Sequence, residues 1–459
     1  MKVLQISYPR HFMTKWKTAQ LAYWNWDIDN AKKYYEQAIK LDTTHQVIKY
    51  DYAKMLFVIG DYSKAAPLFE EYRKVEPDNP EVWLYNIKSL YYNNQSTEAG
   101  KLFKQLPESL ANNYDLSLLK DEILTYGATN INFTTAYTND NQPLQTLNPK
   151  IRISKRQSSY FNWYIEGQFN HFSNDTLKGT NSQTLKLGNQ FMFDAFKLKA
   201  DVHLGATILP NANDNALIGG IDLNKKITKG IDLKAEFSRN PYYNSLISVS
   251  ELVFHDNVGF SLAISDLKKF SGNIQILKQK FNDNNSIDAK SFWILSPAIG
   301  KNKFNLRVGY AFESTDSEKD NFTAQKSLPE ILQDIQNSNV IPGIYKSYFT
   351  PQNQIIHNAV LTIQYKFNPK LNFNFAGSYG VNAKWDNPYL FLNQNSNNES
   401  FVDKDFVTQK FNPSSYKADL HYILNKKWDL GLSYHYFKTA FYTANTFLIN
   451  LNYKIISEK

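Results

Sequence analysis

The sequence predicts an α-plus-membrane-β protein, with a short helical solenoid over residues 1–127 and a 16-stranded antiparallel β-barrel over residues 128–459. Three observations predict it. Small and aromatic residues recur with a period of 34 near the start: Ala31, Ala65 and Ala99 fall in step, and Tyr35, Phe69 and Phe103 follow them by four residues. From residue 129 onward apolar and polar residues alternate with a period of two, which marks strand rather than helix. The connections between these runs alternate short and long, the rhythm of a barrel with tight turns at one membrane face and extended loops at the other. A soluble sandwich also buries one strand face, but nothing in it calls for that parity of loop lengths.

The repeat, spanning residues 12 to about 106, reads as paired helices. Small alanines let helices approach, a ring four residues later fills the groove on the same face, and Gly60 turns the chain between two helices. The middle copy is fullest, with Ala53, Gly60-Asp61-Tyr62, Ala65, Phe69 and Pro77, and Trp83 opens the next. It resembles the tetratricopeptide repeat, whose period is about 34 residues. Where Gly60 turns the second copy, the first has Trp26 and the third Asn94. Leu110, Leu116, Leu119 and Leu124 predict a capping helix over 110–124. Stacked repeats make concave faces for other proteins, so this unit is expected to dock partners and carry no chemistry.

Sixteen strands are expected, near 129–137, 147–156, 160–171, 183–193, 196–207, 216–225, 230–239, 257–265, 271–281, 288–298, 303–313, 357–368, 370–382, 414–424, 427–437 and 446–455. Their phase is clearest late in the chain. Leu361, Ile363, Tyr365 and Phe367 alternate with Thr362, Gln364 and Lys366, and Trp428, Leu430, Leu432, Tyr434 and Tyr436 alternate with Asp429, Ser433 and His435. A charge facing lipid near mid-membrane costs about 2–4 kcal/mol. The greasy set is therefore expected to face lipid, and the polar set a wet lumen. An even strand number returns both barrel ends to one side, expected to be the periplasm, where the solenoid leads in.

Composition narrows the function classes. The chain has 459 residues, no Cys, and 30 Tyr with 31 Phe, at a mean hydropathy of −0.49. It is polar on average yet rich in rings, which suits strands that give half their side chains to water and carry aromatic girdles. No apolar run reaches the roughly 18 residues of a membrane helix. Without Cys there is no disulfide framework and no thiolate metal site. The net charge of +8 is spread through turns and inward positions rather than gathered on one face, so no nucleic-acid partner is expected. Residues 1–20 contain no apolar stretch of signal-peptide type, so no leader is expected within this chain. The eight His residues lack metal-ligand spacing. With no phosphate loop and no nucleophile elbow either, neither catalysis nor a metal or other cofactor is expected.

Three segments carry a more specific likeness. Phe237-Ser238-Arg239-Asn240-Pro241-Tyr242-Tyr243-Asn244-Ser245-Leu246-Ile247-Ser248 resembles the Arg-x-Pro-x-x-x-Ser-Leu-x-Ser stretch of the outer-membrane C subunit of bacterial cellulose synthase. Tyr348-Phe349-Thr350-Pro351-Gln352 is similar to that family's Tyr-Phe-Ser-Pro-Gln segment, also placed just before a strand. The stretch from Ser415 through Trp428-Asp429-Leu430-Gly431 to Tyr453 is similar to its last three strands. The resemblance implies an outer-membrane pore that exports an exopolysaccharide such as cellulose in biofilm formation. Periplasmic repeats would dock synthase components or guide the glycan, an architecture shared with exporters of poly-N-acetylglucosamine.

A glycan conduit needs many weak, exchangeable hydrogen bonds and no catalyst. Candidate lumen residues are Arg152, Glu166, Asp201, Asp232, Glu236, Arg307 and Lys366. Candidate constriction residues are Arg239, Tyr242 and Tyr243, where Pro241 ends a strand ladder, together with Tyr348. The long loop Glu313–Asn353, with a short helix from Leu328 to Ile335, is expected at the outer mouth as an ordinary surface loop, a lid over that mouth being the alternative. The competing expectation is an envelope scaffold whose barrel only anchors the repeats.

Overall fold

A computed structural model describes residues 11–93, 95–126, 128–141, 144–158, 160–174, 179–193, 196–209, 214–228, 230–267, 269–300, 303–334 and 341–456. The chain separates into two compact units, one holding the helices between Phe12 and Tyr126, the other the strands of 129–155 and 161–455.

The helical unit runs α1 (Phe12–Trp24), α2 (Ile28–Leu41), α3 (Gln46–Val58), α4 (Tyr62–Arg73), α5 (Pro80–Tyr92), α6 (Ser96–Phe103) and α7 (Tyr114–Tyr126). Caps set several starts. The Asp27 carboxylate accepts the Asn30 amide ahead of α2, and Asn79 accepts the Glu81 amide while Pro80 occupies the first turn of α5, a position that needs no N–H. Ala31, Ala65 and Ala99 are fully buried, with Tyr35 and Phe69 beside them in the groove. Asp51 of α3 ties three helices together. It accepts from Trp16 Nε1 at 2.7 Å and Gln20 Nε2 at 2.8 Å on α1, and from the Tyr35 hydroxyl at 2.7 Å on α2. Gly60 has φ +85°, and Trp26 occupies the same left-handed region at φ +59°; Asn94 lies outside the described residues. The capping helix begins at Tyr114 rather than Leu110, because Asn113 accepts the Leu116 amide and starts it there. Leu110 is buried in a separate 3₁₀ turn.

The barrel strands are β1 (Thr129–Asp140), β2 (Gln145–Ser158), β3 (Phe161–Ser173), β4 (Thr180–Phe193), β5 (Leu198–Leu209), β6 (Asp214–Thr228), β7 (Ile231–Pro241), β8 (Phe254–Leu267), β9 (Phe270–Phe281), β10 (Ser286–Leu295), β11 (Phe304–Ser317), β12 (Phe322–Ala324), β13 (Gly343–Tyr345), β14 (Gln354–Asn368), β15 (Leu371–Gln394), β16 (Ser400–Phe411), β17 (Ser414–Ile423), β18 (Trp428–Lys438) and β19 (Thr443–Ile455). β12 and β13 form a small separate hairpin. In the main sheet of 17 strands β16 pairs with the distal half of β15, while β17 takes the proximal half. The remaining sixteen form a closed antiparallel ring, sealed where Thr129 of β1 meets Ile455 of β19 and Asp140 meets Ala444. Closure leaves the ring itself without an edge strand, free edges lying in β16 and in the β12–β13 hairpin. It also sets both ends of the ring on one side, as the even count requires.

At that end the connections are tight, such as 369–370 and 424–427. At the opposite end, called here the far mouth, they include 242–253, with α8 (Leu246–Ser250), and 318–353, with β12, α9 (Leu328–Asp334) and β13. Ile335, expected in the short helix of that loop, lies outside the described residues. The stretch 385–412, expected as a plain loop, continues the ladder instead as the β15–β16 hairpin, in register from Ala383↔Phe411 to Gln394↔Ser400.

Candidate functional site: a polar lumen and an aromatic chamber

The two faces of the wall are told apart by how far side chains reach. On a concave face alternate side chains converge, and a residue can bridge to the next strand but one. The Tyr164 hydroxyl of β3 donates to Asp201 of β5 at 2.8 Å, across β4, and Arg307 of β11 donates to Ser271 of β9 at 2.8 Å, across β10. The residues in phase with these are therefore inward. The opposite set carries the apolar groups, including Leu204 and Leu217 at 72% and 79% exposure. Aromatic pairs such as Trp428–Tyr453 and Tyr365–Phe367 mark its margin at the closed-turn end. This is the surface a barrel presents to acyl chains.

All seven lumen candidates fall on the inward face. Glu166 sits between Arg152 at 3.6 Å and Lys150 at 3.8 Å, and Arg152 lies 3.6 Å over the Tyr164 ring. Asp201 accepts from Tyr164 and from Gln190 at 2.7 Å. Glu236 pairs with Lys234 at 2.7 Å, which also reaches Asp222 at 3.3 Å. Asp232 lies opposite Lys226, and Lys366 opposite Asn372. Between these charges runs an amide lining. Asn132 donates to Asn450 at 3.1 Å, Asn452 donates to Asp429 at 2.7 Å, and Asn162 donates to Gln190 at 2.8 Å.

Three inward glycines shape the bore. A Cβ on Gly188 would come within 2.1 Å of Tyr164 Cζ, one on Gly220 within 2.7 Å of the His203 ring, and one on Gly259 within 2.7 Å of Glu236 Cγ. In each case the missing side chain lets an inward group of the neighbouring strand recline along the wall instead of projecting toward the axis. Sequence alternation fixes the phase of Tyr164 but gives no sign of this fit, which depends on register, Tyr164 facing Gly188 and His203 facing Gly220.

At the far mouth two loops fold inward. Val249 and Leu252 of the 242–253 segment are buried with the inward residues Phe172 and Ile218 and with Tyr243. Tyr242 packs with Val253, Phe281, Ile287 and Tyr348. Tyr348 stacks on Phe281 at a centroid distance of 3.8 Å, and its hydroxyl donates to Asp283 at 2.7 Å. Burial, followed by the Asp283 bond, pushes that hydroxyl's pKa well up. The loops are pinned to each other, since Ser245 Oγ donates to the Ser347 carbonyl at 3.1 Å and Ser347 to Glu251. The β15–β16 hairpin supports the longer loop through Leu390 against Ile331 and Ile341, and through Lys404 on Asp320.

Of the constriction candidates, Tyr242, Tyr243 and Tyr348 thus belong to this inward fold. Arg239 does not. It is in phase with outward Phe237, and its guanidinium meets Asp256 at 3.3 Å on the outer face. Period two continues through the strand end and carries the side chain away from the bore.

Beneath the loops lies a cavity of about 850 Å³, lined in part by Tyr345, Phe349, Trp385, Phe441 and Tyr442. Phe349 lies 3.8 Å from Phe441 and 5.6 Å from Trp385, and Tyr345 lies 4.9 Å from Phe349. Sequence reasoning singled out none of these five rings as a site residue, although Phe349 stands inside a quoted motif. Phe349, Phe441 and Tyr442 stand in polar connections, while Tyr345 ends β13 and Trp385 lies in the distal half of β15, in register with Gln409.

No family model matches the chain, and no curated protein matches it. Among solved structures, a bacterial polysaccharide outer membrane secretin aligns with 72% of this chain and 99% of its own, with a TM-score of 0.52 at 6% identity. CdiB from Acinetobacter baumannii aligns with 71% of this chain and 60% of its own, with a TM-score of 0.39 at 11% identity. The Arabidopsis OM64 TPR domain aligns with 24% of this chain and 93% of its own, with a TM-score of 0.22 at 14% identity. At such identity the first is a likeness of fold, that of an outer-membrane β-barrel.

Proposed function

We propose that this chain is an outer-membrane pore that exports an exopolysaccharide, its helical repeats lying in the periplasm to dock synthase components or guide the glycan. The observation that carries the reading is the inward wall of amides, hydroxyls and mixed charges, many of them paired with a neighbour and able to exchange that partner for a passing hydroxyl. Such a wall offers a polymer many weak bonds and no deep well, the balance permeation needs. The resemblance of the 237–248 and 348–352 segments to the cellulose synthase outer-membrane subunit supports a cellulose-like or related glycan. The reading is of a conduit and not of a catalyst.

The test is conductance in planar bilayers. An ion current that soluble oligosaccharides block reversibly is the expected result. A sealed barrel, or a current indifferent to them, would end the export reading. It would favour the second reading, an envelope scaffold anchored by its barrel, for which the two inward-folded loops at the far mouth speak.

A further inference from the structure

The chamber at the far mouth has a composition unlike the rest of the bore. Its rings occupy loop and rim positions rather than the lipid face, and they cluster: Phe349 and Phe441 at 3.8 Å, with Tyr345 and Tyr442 within 5 Å of one or the other. The polar groups that share its lining are neutral, among them Gln279, Thr315, Gln354, Asn387 and Gln409. Among the described residues Lys346 is the one charged group of that lining. Carboxylates nearby accept from other partners: Asp283 from Tyr348, Asp386 from Asn353 and Thr408, Asp320 from Lys404, and Glu313, two residues from the lining Thr315 on the same strand face, from Asn358 at 3.4 Å. By contrast the strand wall below carries Glu166, Asp222 and Glu236 with their cations, and Asp201 held by Tyr164 and Gln190.

We infer that this chamber is a binding subsite for an uncharged glycan, held by ring stacking on Phe349 and Phe441 and by side-chain amides at its hydroxyls. The faces of a pyranose that bear axial C–H groups are apolar and suit an aromatic platform, while its equatorial hydroxyls both donate and accept, as carboxamides do. A uronate or an amino sugar brings one charge per unit into a space that offers it a single ammonium and no free carboxylate, so desolvation works against it. The volume of about 850 Å³ falls inside the range of about 300–1,000 Å³ usual for small-molecule sites and accommodates a short run of sugar rings. The inference rests on the export reading for its cargo, and it narrows that cargo to a polymer without net charge.

The experiment titrates the full chain in detergent with cellohexaose, hexaguluronate and a chitosan hexamer, following tryptophan fluorescence and heat. Cellohexaose is expected to bind, and the two charged oligomers at least tenfold more weakly. Phe349→Leu and Phe441→Leu keep apolar volume but remove the ring, and each is expected to weaken cellohexaose binding by about three- to tenfold, the worth of one ring contact. Retained heat-modifiable gel migration shows that these variants are folded barrels. A charged oligomer binding as tightly as cellohexaose, or leucine variants binding like the parent chain, overturns the inference. Bilayer recordings separate the two levels. Cellohexaose block that is equally deep in both leucine variants keeps the conduit and removes the chamber. Binding that depends on the rings in a barrel that carries no current keeps the chamber and removes the conduit.

Discussion

Gly188→Ala is a one-methyl perturbation with a computable consequence. The new carbon would stand 2.1 Å from Tyr164 Cζ, far inside contact distance, so the ring must leave the wall. It then gives up its 2.8 Å bond to Asp201 and its place 3.6 Å under the Arg152 guanidinium. A hydrogen bond to a charged acceptor contributes roughly 1.5–3 kcal/mol, and a guanidinium over a ring roughly 0.5–1 kcal/mol at a solvated site. Water in the lumen replaces part of both, which leaves an expected loss of about 1–3 kcal/mol. Urea unfolding from lipid vesicles should show the midpoint falling accordingly. Single-channel conductance should fall as well, since the displaced ring points toward the axis. In a Tyr164→Ala background the same glycine change should cost little, because the clash partner is gone. An unchanged midpoint and conductance in Gly188→Ala, or full additivity with Tyr164→Ala, would refute the reasoning.

Tyr348→Phe keeps the stack on Phe281 but removes the hydroxyl from Asp283; loosening by about 1.5 kcal/mol should raise protease cutting of the 318–353 loop about tenfold. Because that hydroxyl's pKa is pushed up, it stays protonated through the range where exposed tyrosines begin to ionise, and loop protection should be flat from about pH 6 to 9. Trp26→Gly removes a side chain from a left-handed position (φ +59°) where it is 64% exposed. The strain there is roughly 1 kcal/mol, so helical melting followed at 222 nm should shift upward or stay level, and a drop of several degrees would contradict the strain argument. Leu204→Lys puts a charge on the lipid face of β5 and should cost about 2–4 kcal/mol in bilayer refolding. Lysine at inward Asn374, which faces Asp419, should be nearly neutral.

The phase of the wall was legible because it repeats. Each strand restates whether its odd or even residues face lipid, and a single misplaced charge would be costly. Arg239 shows the same rule applied too narrowly: Phe237 already fixes its direction, and placing it at the constriction discards that information. The β15–β16 hairpin was hidden by Pro388, which ordinarily argues against a strand interior yet here pairs with Phe406 beyond the ring. The chamber was illegible for a different reason. Phe349 and Phe441 come from two connections and Trp385 from the distal half of β15, scattered over nearly a hundred residues, and only ring closure makes neighbours of them. Ala31, Ala65 and Ala99 stand at the opposite extreme, where spacing alone announced full burial.

A bore whose tyrosine, histidine and glutamate side chains lie flat in notches has few protrusions for a threaded polymer to catch on. On the proposed export reading, the notches at Gly188, Gly220 and Gly259 remove snags from that part of the wall, so a passing chain would be slowed at the far mouth and not there. Such a wall would guide a chain without driving it, and the force for its passage would have to come from outside the barrel.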